Sequence, residues 1–410
     1  MTLPDVRRGW PWACLSLCLA LLLGPVDAAP RAPVPQAAGP SGPPSTLLME
    51  VSTGQVLQAS EPHRRLPPAS LNKLMTFDLT LQAIKDGHLT LSTPVTVSTE
   101  AWRVARRYGT SRMFLNAGDE VTVEQLLLGM MVASGNDAAQ ALAEAEAGSA
   151  EQFAAEMNAA AGRLGMRDSH FVTPHGLPAP DEYTSAWDMA LLARHILLTF
   201  PDCTRFTSPQ YETYGGIRQA NWNNLVFRDS RVDGLKTGST AEAGENIVAT
   251  AREGSMRLIA VVMGARTVPL RTASAEGMLN FGFGRYALLV VPWQRVVPDA
   301  VTIYGGTAAR LPLDTSRPVE VLLSRDVHAA LTVSEELTVR PLAPFQRGQQ
   351  VGVLTVHDTV NVLARAPVLA AATVPRSGWI ARIWGLLRYR IGELLHRRQT
   401  TWTGTFTPSE

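Results

Sequence analysis

Helical sequence patterns lie between strand patterns at the two ends of residues 45–290, and this order most constrains the fold. At the front, apolar runs at 47–51 and 56–57 flank Ser52-Thr53-Gly54, which predicts a hairpin. Strand-like runs occur at 232–238, 246–251 and 258–263, and helical patterns cover 70–86, 137–147, 150–164, 184–198 and 270–281. We therefore expect an α+β domain in which the terminal segments build one antiparallel sheet with helices packed on it.

One short motif brings a hydroxyl and an amine together. Ser70 and Lys73 lie three residues apart in Pro-Ala-Ser-Leu-Asn-Lys, residues 68–73, so on a helix they share one face. A serine hydroxyl becomes a good nucleophile when a nearby base takes its proton. A lysine can be that base when burial or neighbouring positive charge lowers its pKa. A single Ser-x-x-Lys is expected about once by chance in a chain of this length, so the motif needs support from elsewhere.

Two further motifs supply that support: Ser134-Gly135-Asn136 and Lys236-Thr237-Gly238. Taken singly, the first is better explained as a turn that ends a helix, and the second as a strand that enters a turn. Ser-x-x-Lys, Ser-x-Asn and Lys-Thr-Gly in this order are the motif set of penicillin-binding proteins and serine β-lactamases. The three together predict acyl transfer through a serine ester.

Convergence of the motifs would give each residue a role in forming that ester. Ser70 would attack a carbonyl carbon, and a neutral Lys73 would accept its proton. Ser134 would relay the proton toward the leaving amine, and Asn136 would bond Lys73 or the substrate amide.

The remaining predicted roles concern the charges of the substrate. Lys236 would supply positive charge to a substrate carboxylate and would keep Lys73 from holding a proton, while Thr237 would add a hydroxyl. The backbone N–H groups of Ser70 and Ser239 would form an oxyanion hole. This chemistry requires no metal and no cofactor.

Other polar residues carry weaker signals. His175 lies beside proline and glycine in a loop, where a structural role is favoured over that of a triad base, because Lys73 already fills the role of the base. Arg266 and Arg271 follow a strand, and either could help to bind a carboxylate, although surface arginines are usually solvated. Cys203 would be alone in the mature chain, and the sequence contains no cluster of Cys and His that would predict a metal site.

The N-terminal segment predicts export. Arg7 and Arg8 precede an apolar run at 13–24 and the small-residue site Val26-Asp27-Ala28, which is the pattern of a secretory signal peptide over residues 1–28. A retained anchor helix is the alternative, but a run of about a dozen residues is shorter than the roughly 20 that span a bilayer. Residues 29–44 contain six prolines and predict an extended linker. A net charge of +1 gives no indication of a nucleic-acid partner.

The C-terminal third has a different pattern. Short alternating runs at 291–374 predict a small all-β domain without catalytic residues. Residues 375–398 then combine a stripe of apolar side chains with six arginines and one glutamate, a local formal charge of +5. This composition predicts an amphipathic helix that lies in a membrane interface, although docking on the β domain or on a partner protein is an alternative. The apolar stripe contains Ile380, Ile383, Trp384, Leu387, Ile391, Leu394 and Leu395.

From 46 to 290, and more loosely to the last helix, the chain resembles the serine-type D-alanyl-D-alanine carboxypeptidases, peptidase family S11. These are low-molecular-mass penicillin-binding proteins with a C-terminal amphipathic anchor. Beyond the three motifs, the resemblance rests on short phrases: the run from His170 to Leu177, Gly216-Ile217-Arg218-Gln219, Val232-Asp233-Gly234-Leu235, Gly244-x-Asn246 and Val262-Met263-Gly264-x-Arg266-Thr267.

The resemblance implies a transpeptidase-like domain with a five-stranded sheet at 45–290. It implies an enzyme that removes the terminal D-alanine from peptidoglycan pentapeptide stems, that β-lactams acylate on Ser70, and that sits on the periplasmic face of the bacterial inner membrane. Two positions depart from the family pattern: Ser239 stands where relatives often have histidine, and Trp222 stands where they often have a basic residue. Both departures bear on substrate preference.

Two alternatives to the carboxypeptidase remain open. A serine β-lactamase would share the acylation residues, but its Glu-x-x-Leu-Asn phrase belongs between the second and third motifs, whereas Glu276-Gly277-Met278-Leu279-Asn280 follows Lys236 here. A peptidoglycan-binding protein that had lost turnover would keep the fold alone. The sequence makes no prediction of the oligomeric state.

Overall fold

The computed structural model describes residues 42–107, 109–326, 330–394 and 400–407, apart from the side chain of Glu393. The predicted signal peptide at 1–28 lies outside the described residues, as does the predicted linker up to residue 41.

Residues 45–285 alternate between strands and helices in the predicted manner. The strands are β1 (Ser45–Glu50), β2 (Val56–Ser60), β3 (Pro94–Thr96), β4 (Glu120–Thr122), β5 (Tyr211–Tyr214), β6 (Ile217–Ala220), β7 (Val232–Thr240), β8 (Gly244–Glu253) and β9 (Met256–Ala265). The helices are α1 (Lys73–Lys85), α2 (Thr99–Ala105), α3 (Val123–Met131), α4 (Asn136–Ala147), α5 (Ala150–Leu164), α6 (Ala186–Thr199) and α7 (Val268–Arg285).

The main sheet joins the two ends of this segment. Its five strands lie in the order β2-β1-β9-β8-β7, and every neighbouring pair is antiparallel. Strand β1 pairs with β9 over its whole length, with Leu47 opposite Val261. The predicted α+β class and the single sheet built from the terminal segments are both confirmed.

Alternating side chains of the sheet enter two cores. Leu47 and Met49 of β1 pack with the helices α1 and α3 to α6, whereas Leu48 points to the other face and packs beneath α7. This alternation follows from the period of two in a strand. Each such buried side chain contributes about 1.5–3 kcal/mol to folding, so packing on both faces holds the sheet that carries the segments at its edge.

The predicted helix at 70–86 has a different beginning from the one expected. Residues Ala69–Asn72 form one turn of 3₁₀ helix, and the α-helix starts only at Lys73. Ala69 adopts a left-handed φ of 51°. Ser70 therefore sits on a tight turn just before α1, with its side chain half-buried, while Lys73 in the first position of the helix is fully buried.

A second region is built from strands, as predicted. These are β10 (Tyr286–Val290), β11 (Ala300–Thr302), β12 (Arg310–Thr315), β13 (Glu320–Ser324), β14 (Leu331–Leu337), β15 (Gln350–His357), β16 (Val362–Ala370) and β17 (Thr401–Phe406). Strands β10 and β13 pair, and the others form a six-stranded sheet in the order β11-β12-β16-β15-β14-β17.

The last strand was not among the predicted elements. After helix α8 (Trp379–Leu394), the chain returns to the sheet, and β17 pairs with β14 along six residues, from Leu331 opposite Phe406 to Glu336 opposite Thr401. Gly404 of β17 lies so close to Val296 that its position has no room for a side chain. The amphipathic helix is therefore followed by an edge strand of the β-sheet.

Helix α8 touches the β-rich region through one side. A Cβ built on Gly385 would lie 2.5 Å from the backbone nitrogen of Gly305, and the rings of Tyr389 and Tyr304 meet edge to face at 5.8 Å. The predicted apolar stripe, including Ile383 and Trp384, is exposed; Leu395 lies outside the described residues. None of the helices in the described part of the chain is long and apolar enough to cross a bilayer.

Candidate active site

Ser70 and Lys73 are in direct contact. The Nζ atom of Lys73 lies 2.9 Å from Oγ of Ser70, 2.7 Å from Oδ1 of Asn136 and 2.8 Å from the carbonyl oxygen of His175. A neutral lysine amine has two N–H donors and one lone pair. The two carbonyl-type oxygens can only accept, so in the neutral form of the amine they take both N–H bonds and the lone pair is left for the hydroxyl of Ser70.

The surroundings favour the neutral form of this amine. Complete burial holds the pKa of Lys73 well below its ordinary value, and the positive charge of Lys236 lowers it further. Asp137 and Glu182 act in the opposite direction, with smaller effects. Loss of hydration therefore dominates, as expected for an ammonium group taken out of water.

The second motif forms the turn between α3 and α4. Ser134 adopts a left-handed φ of 59°, and Asn136 is the first residue of α4, with its side chain turned to Lys73. A Cβ on Gly135 would lie 2.8 Å from Oδ1 of Asp137 and 3.1 Å from the backbone nitrogen of Met113, so a side chain there would crowd both groups. Asp137 accepts from the backbone N–H groups of Met113 and Leu115, which holds this turn to the preceding loop.

The third motif lies on strand β7, against the Ser70 turn. A Cβ built on Gly238 would lie 2.9 Å from both the carbonyl oxygen of Pro68 and the backbone nitrogen of Ser70. Asn246, opposite Gly238 on β8, donates through its side chain to the carbonyl oxygens of Pro67 and Pro68. The edge of the sheet and the segment before Ser70 are thus fixed to each other.

Lys236 is the second buried lysine of the site. Burial lowers its pKa to about 7, with a further contribution from the charge of Arg271. Its Nζ donates to the carbonyl oxygen of Thr237 at 3.2 Å, which leaves N–H groups for another acceptor. Arg271 is paired with Glu245 at 2.8 Å, and Glu245 also accepts from the hydroxyl of the exposed Ser239.

His175 takes part through its backbone. Burial lowers the pKa of its imidazole to about 3, with the charges of Lys73 and Arg107 adding to the effect, and Nδ1 accepts from the N–H of Leu177. A ring with so low a pKa is a poor base near neutral pH. The next residue, Gly176, has a left-handed φ of 78° and no room for a side chain beside Ala69.

The loop that carries His175 is held by a buried carboxylate. Glu182 accepts from the side chain of Asn72 at 2.6 Å and from the backbone N–H of Thr173 at 2.8 Å. The hydroxyl of Thr76 donates to the carbonyl oxygen of Pro174. These bonds fix the loop to the start of α1, where the carbonyl oxygen of His175 meets Lys73.

The structure thus brings all three motifs to one place. Ser70, Lys73 and Asn136 touch, and the strand that carries Lys236, Thr237 and Ser239 packs on the Ser70 turn through Gly238. Ser134 lies two residues before Asn136 on the same turn. Two positioning residues, Asn246 and Glu182, were not among the predicted site residues. The Gly244-x-Asn246 phrase was a signal for the first, whereas no local pattern marks Glu182.

The other polar residues that the sequence analysis considered either lie apart from this cluster or are bonded to other partners. Arg266 is exposed, whereas Arg271 is buried near Lys236. Glu276 lies on α7, 3.7 Å from Arg228, and not within either motif turn. Cys203 is buried and free, and burial raises the pKa of its thiol to about 12. The described residues contain no group of three or more His, Cys, Asp and Glu side chains placed to hold a metal ion.

Comparison with known families gives two matches. The peptidase S11 family, described as D-alanyl-D-alanine carboxypeptidase, matches residues 38–267. The C-terminal domain of penicillin-binding protein 5 matches residues 295–376.

Curated proteins and solved structures agree with these matches. D-alanyl-D-alanine carboxypeptidase DacC of Escherichia coli is 37% identical over 82% of this chain and 86% of its own length. DacF of Bacillus subtilis is 36% identical over 82% and 87%. Penicillin-binding protein 5 of Haemophilus influenzae superposes with a TM-score of 0.72 at 32% identity, over 82% of this chain and 98% of the other.

A shorter relative has been solved with a bound antibiotic. Penicillin-binding protein D2 of Listeria monocytogenes, in its ampicillin-bound form, superposes with a TM-score of 0.53 at 29% identity, covering 59% of this chain and 97% of its own. These similarities extend over both the motif-bearing region and the β-rich region. The chain belongs to the peptidase S11 family, the serine-type D-alanyl-D-alanine carboxypeptidases.

Proposed function

We propose that this carboxypeptidase acts through an acyl-enzyme on Ser70, with Lys73 as the general base. The observation that carries the proposal is the environment of Nζ of Lys73. Two fixed oxygens, from Asn136 and His175, accept N–H groups of this amine, and its nitrogen lies 2.9 Å from Oγ of Ser70. Burial and the charge of Lys236 lower the pKa of this amine, which favours the neutral form that can take the proton of the hydroxyl.

Lys236 and Thr237 bind the C-terminal carboxylate of the substrate in this proposal. Lys236 is buried on the strand beside Ser70, has unused N–H groups, and has a pKa of about 7. A carboxylate at this position would pair with the ammonium form and favour it. Asn136, besides bonding Lys73, has an amide N–H₂ for the peptide carbonyl of the substrate.

The backbone N–H groups of Ser70 and Ser239 form the oxyanion hole. Support comes from the close packing of Gly238, which precedes Ser239, on the backbone nitrogen of Ser70. Ser134 passes a proton from Lys73 to the nitrogen of the leaving residue. Each oxyanion donor typically contributes about 10²–10³ in rate. Water then hydrolyses the ester and regenerates Ser70.

The substrate is the D-alanyl-D-alanine end of peptidoglycan pentapeptide stems, and β-lactams acylate the same serine. We assign this chemistry to residues 45–290 and assign 291–374 to a β-rich domain that supports the C-terminal helix. A serine β-lactamase would need a second base to drive fast deacylation. Glu276, the glutamate of the Glu-x-x-Leu-Asn phrase, lies on α7 and pairs with Arg228, so it does not supply that base.

The site is tested with the mature protein and its Ser70→Ala variant, mixed with benzylpenicillin and followed by intact mass. A penicilloyl adduct that lasts minutes on the wild type alone, together with D-alanine release from a D-alanyl-D-alanine peptide, is the expected result. Rapid penicillin consumption with a fleeting adduct would indicate a β-lactamase. No adduct and no consumption would favour a silent peptidoglycan-binding protein.

We also propose that the protein is exported and sits on the outer face of the inner membrane, held there by α8. The support is the signal pattern at 1–28 and the exposure of the apolar stripe of α8. Trp384 is 60% exposed and Ile383 is 58% exposed, and Arg382 and Arg388 flank them along the helix. Apolar side chains beside arginines suit an interface with anionic lipid.

A further inference from the structure

Trp222 is an exposed aromatic ring held against the Ser134 turn. Its ring nitrogen donates to the carbonyl oxygen of Ala133 at 3.1 Å, and its backbone N–H donates to the carbonyl oxygen of Val132 at 3.4 Å. The side chain is still 58% exposed, the largest value among the large apolar side chains described between 45 and 285. The ring is thus fixed in position while most of its surface faces solvent.

The neighbours of Trp222 connect it to the third motif. Asn221 is buried and donates to the carbonyl oxygens of Thr207 and Pro209. Asn223 donates through its side chain to the carbonyl oxygen of Gly234, two residues before Lys236 on β7. Trp222 therefore sits on a bridge between the turn that carries Ser134 and the strand that carries Lys236.

Both of those residues act on the departing part of the substrate in the proposed mechanism. Lys236 holds its carboxylate, and Ser134 delivers a proton to its nitrogen. A solvent-facing apolar ring on the segment that joins their turn and their strand would lie beside the side chain of the departing residue. Such a surface favours an apolar side chain, by about fourfold for each methylene group that it takes out of water.

We propose that Trp222 determines specificity for the leaving residue, and that the enzyme also releases terminal D-residues with apolar side chains larger than that of alanine. The inference rests on the proposed function. The chemistry is the same: Oγ of Ser70 bonds to the carbonyl carbon of the penultimate D-alanine, and the C–N bond to the terminal residue breaks. The freed nitrogen takes the proton that Ser70 gave up, and water hydrolyses the ester.

The test uses two acetylated peptides that differ only at the last residue, ending in D-alanyl-D-alanine or D-alanyl-D-leucine. Release of the free D-amino acid gives kcat/KM for each, and the readout is the ratio of D-leucine to D-alanine. We expect the wild type to release D-leucine and the ratio to fall about tenfold in Trp222→Ala. Trp222→Phe, which keeps an aromatic face without the N–H, should change the ratio less than threefold.

Phe281→Ala is the matched control, because Phe281 is an exposed aromatic residue on α7, and its ratio should equal that of the wild type. An unchanged ratio in Trp222→Ala would overturn the inference, as would undetectable D-leucine release by a wild type that releases D-alanine. An equal fall in Trp222→Phe and Trp222→Ala would assign the effect to the bond with Ala133 and would also overturn it. A wild type that releases neither residue would instead overturn the proposed function.

Discussion

Gly238 on the edge strand of the sheet packs directly on the backbone nitrogen of Ser70, 168 positions earlier in the chain. A Cβ there would lie 2.9 Å from that nitrogen and 2.9 Å from the carbonyl oxygen of Pro68. Both are backbone atoms of a turn that Asn246 holds from the next strand, so they cannot move aside as a flexible side chain would.

Gly238→Ala is therefore expected to slow acylation by benzylpenicillin by about 100-fold, because it would move the backbone N–H groups that we propose as the oxyanion hole. Gly277→Ala is the control: Gly277 lies in α7 with no atom within 4 Å of an added Cβ, and alanine there should raise stability slightly. The rates come from intact mass over time. Wild-type acylation in Gly238→Ala would contradict the assigned packing.

The activity should fall as the pH rises above about 7. In the proposed mechanism Lys236 binds the substrate carboxylate in its charged form. Its pKa is about 7 in the free enzyme, so the charge is present below this pH and is lost above it. The profile of kcat/KM reports pKa values of the free enzyme, and we expect its alkaline limb near this value. Lys236→Arg should move that limb upward by more than two pH units, because an arginine keeps its charge.

Lys85→Arg, at an exposed lysine on α1, controls for the exchange of side chains. An alkaline limb that stays in place in Lys236→Arg would assign it to another group and would remove Lys236 from the carboxylate site.

Stability should depend on pH through the same residue. The pKa of Lys236 is about 7 in the folded state, below the ordinary lysine value of 10.5, so the unfolded chain binds one more proton than the folded chain between these two pH values. Folding stability of the wild type should therefore rise with pH across this window, by up to about 1.4 kcal/mol per pH unit from this group. Lys236→Met should lack this slope and should be the more stable protein at pH 6.

Urea unfolding of the two proteins at pH 6, 7.5 and 9 measures this difference, with Lys85→Met as the control for the loss of one formal charge. Parallel stability curves for the wild type and Lys236→Met would show that burial does not perturb this lysine.

The exposed stripe of α8 should bind lipid bilayers. Paired Ile383→Glu and Trp384→Glu substitutions place two charges on that stripe, and we expect at least a tenfold loss of binding to vesicles with anionic lipid. The reason is that each buried apolar side chain contributes about 1.5–3 kcal/mol. Co-sedimentation with vesicles measures the bound fraction.

Val360→Glu is the matched control, because Val360 is 85% exposed in the β-rich region, outside α8. Point variants are preferable to truncation after Val374, which would also delete β17. Equal binding by the double variant and the wild type would indicate that α8 docks on something other than a membrane.

The sequence motifs predicted the residues around Lys73 because each motif is local, and the order of the motifs predicted acyl transfer through a serine ester. What the motifs could not predict is how they are held. The carbonyl oxygen of His175 accepts from Lys73, 102 positions earlier in the chain. Glu182 holds that loop by accepting from backbone N–H groups, which nearly every residue type has and which therefore leave no pattern in the sequence. Such contacts depend on the tertiary path of the chain and not on a pattern within it.

The C-terminal strand is a different case, because its signal is local. Residues 401–406 read Thr-Trp-Thr-Gly-Thr-Phe, an alternation of β-branched and aromatic residues typical of a half-buried strand. The amphipathic pattern at 375–398 is much stronger, and it favours the interpretation that this helix is the last element. The structure shows one more element, paired to β14.

That element changes what α8 can do. Before the helix, the backbone N–H of Ser377 donates to the carbonyl oxygen of Gly305, and after it β17 is paired into the sheet, so both ends of the helix are attached to the same body. A helix attached at one end could rotate about that connection, whereas attachment at both ends sets the orientation of α8 relative to the β-rich region. A bilayer bound to its exposed stripe would therefore meet the β-rich region in one orientation, set by the sheet and not by the helix alone.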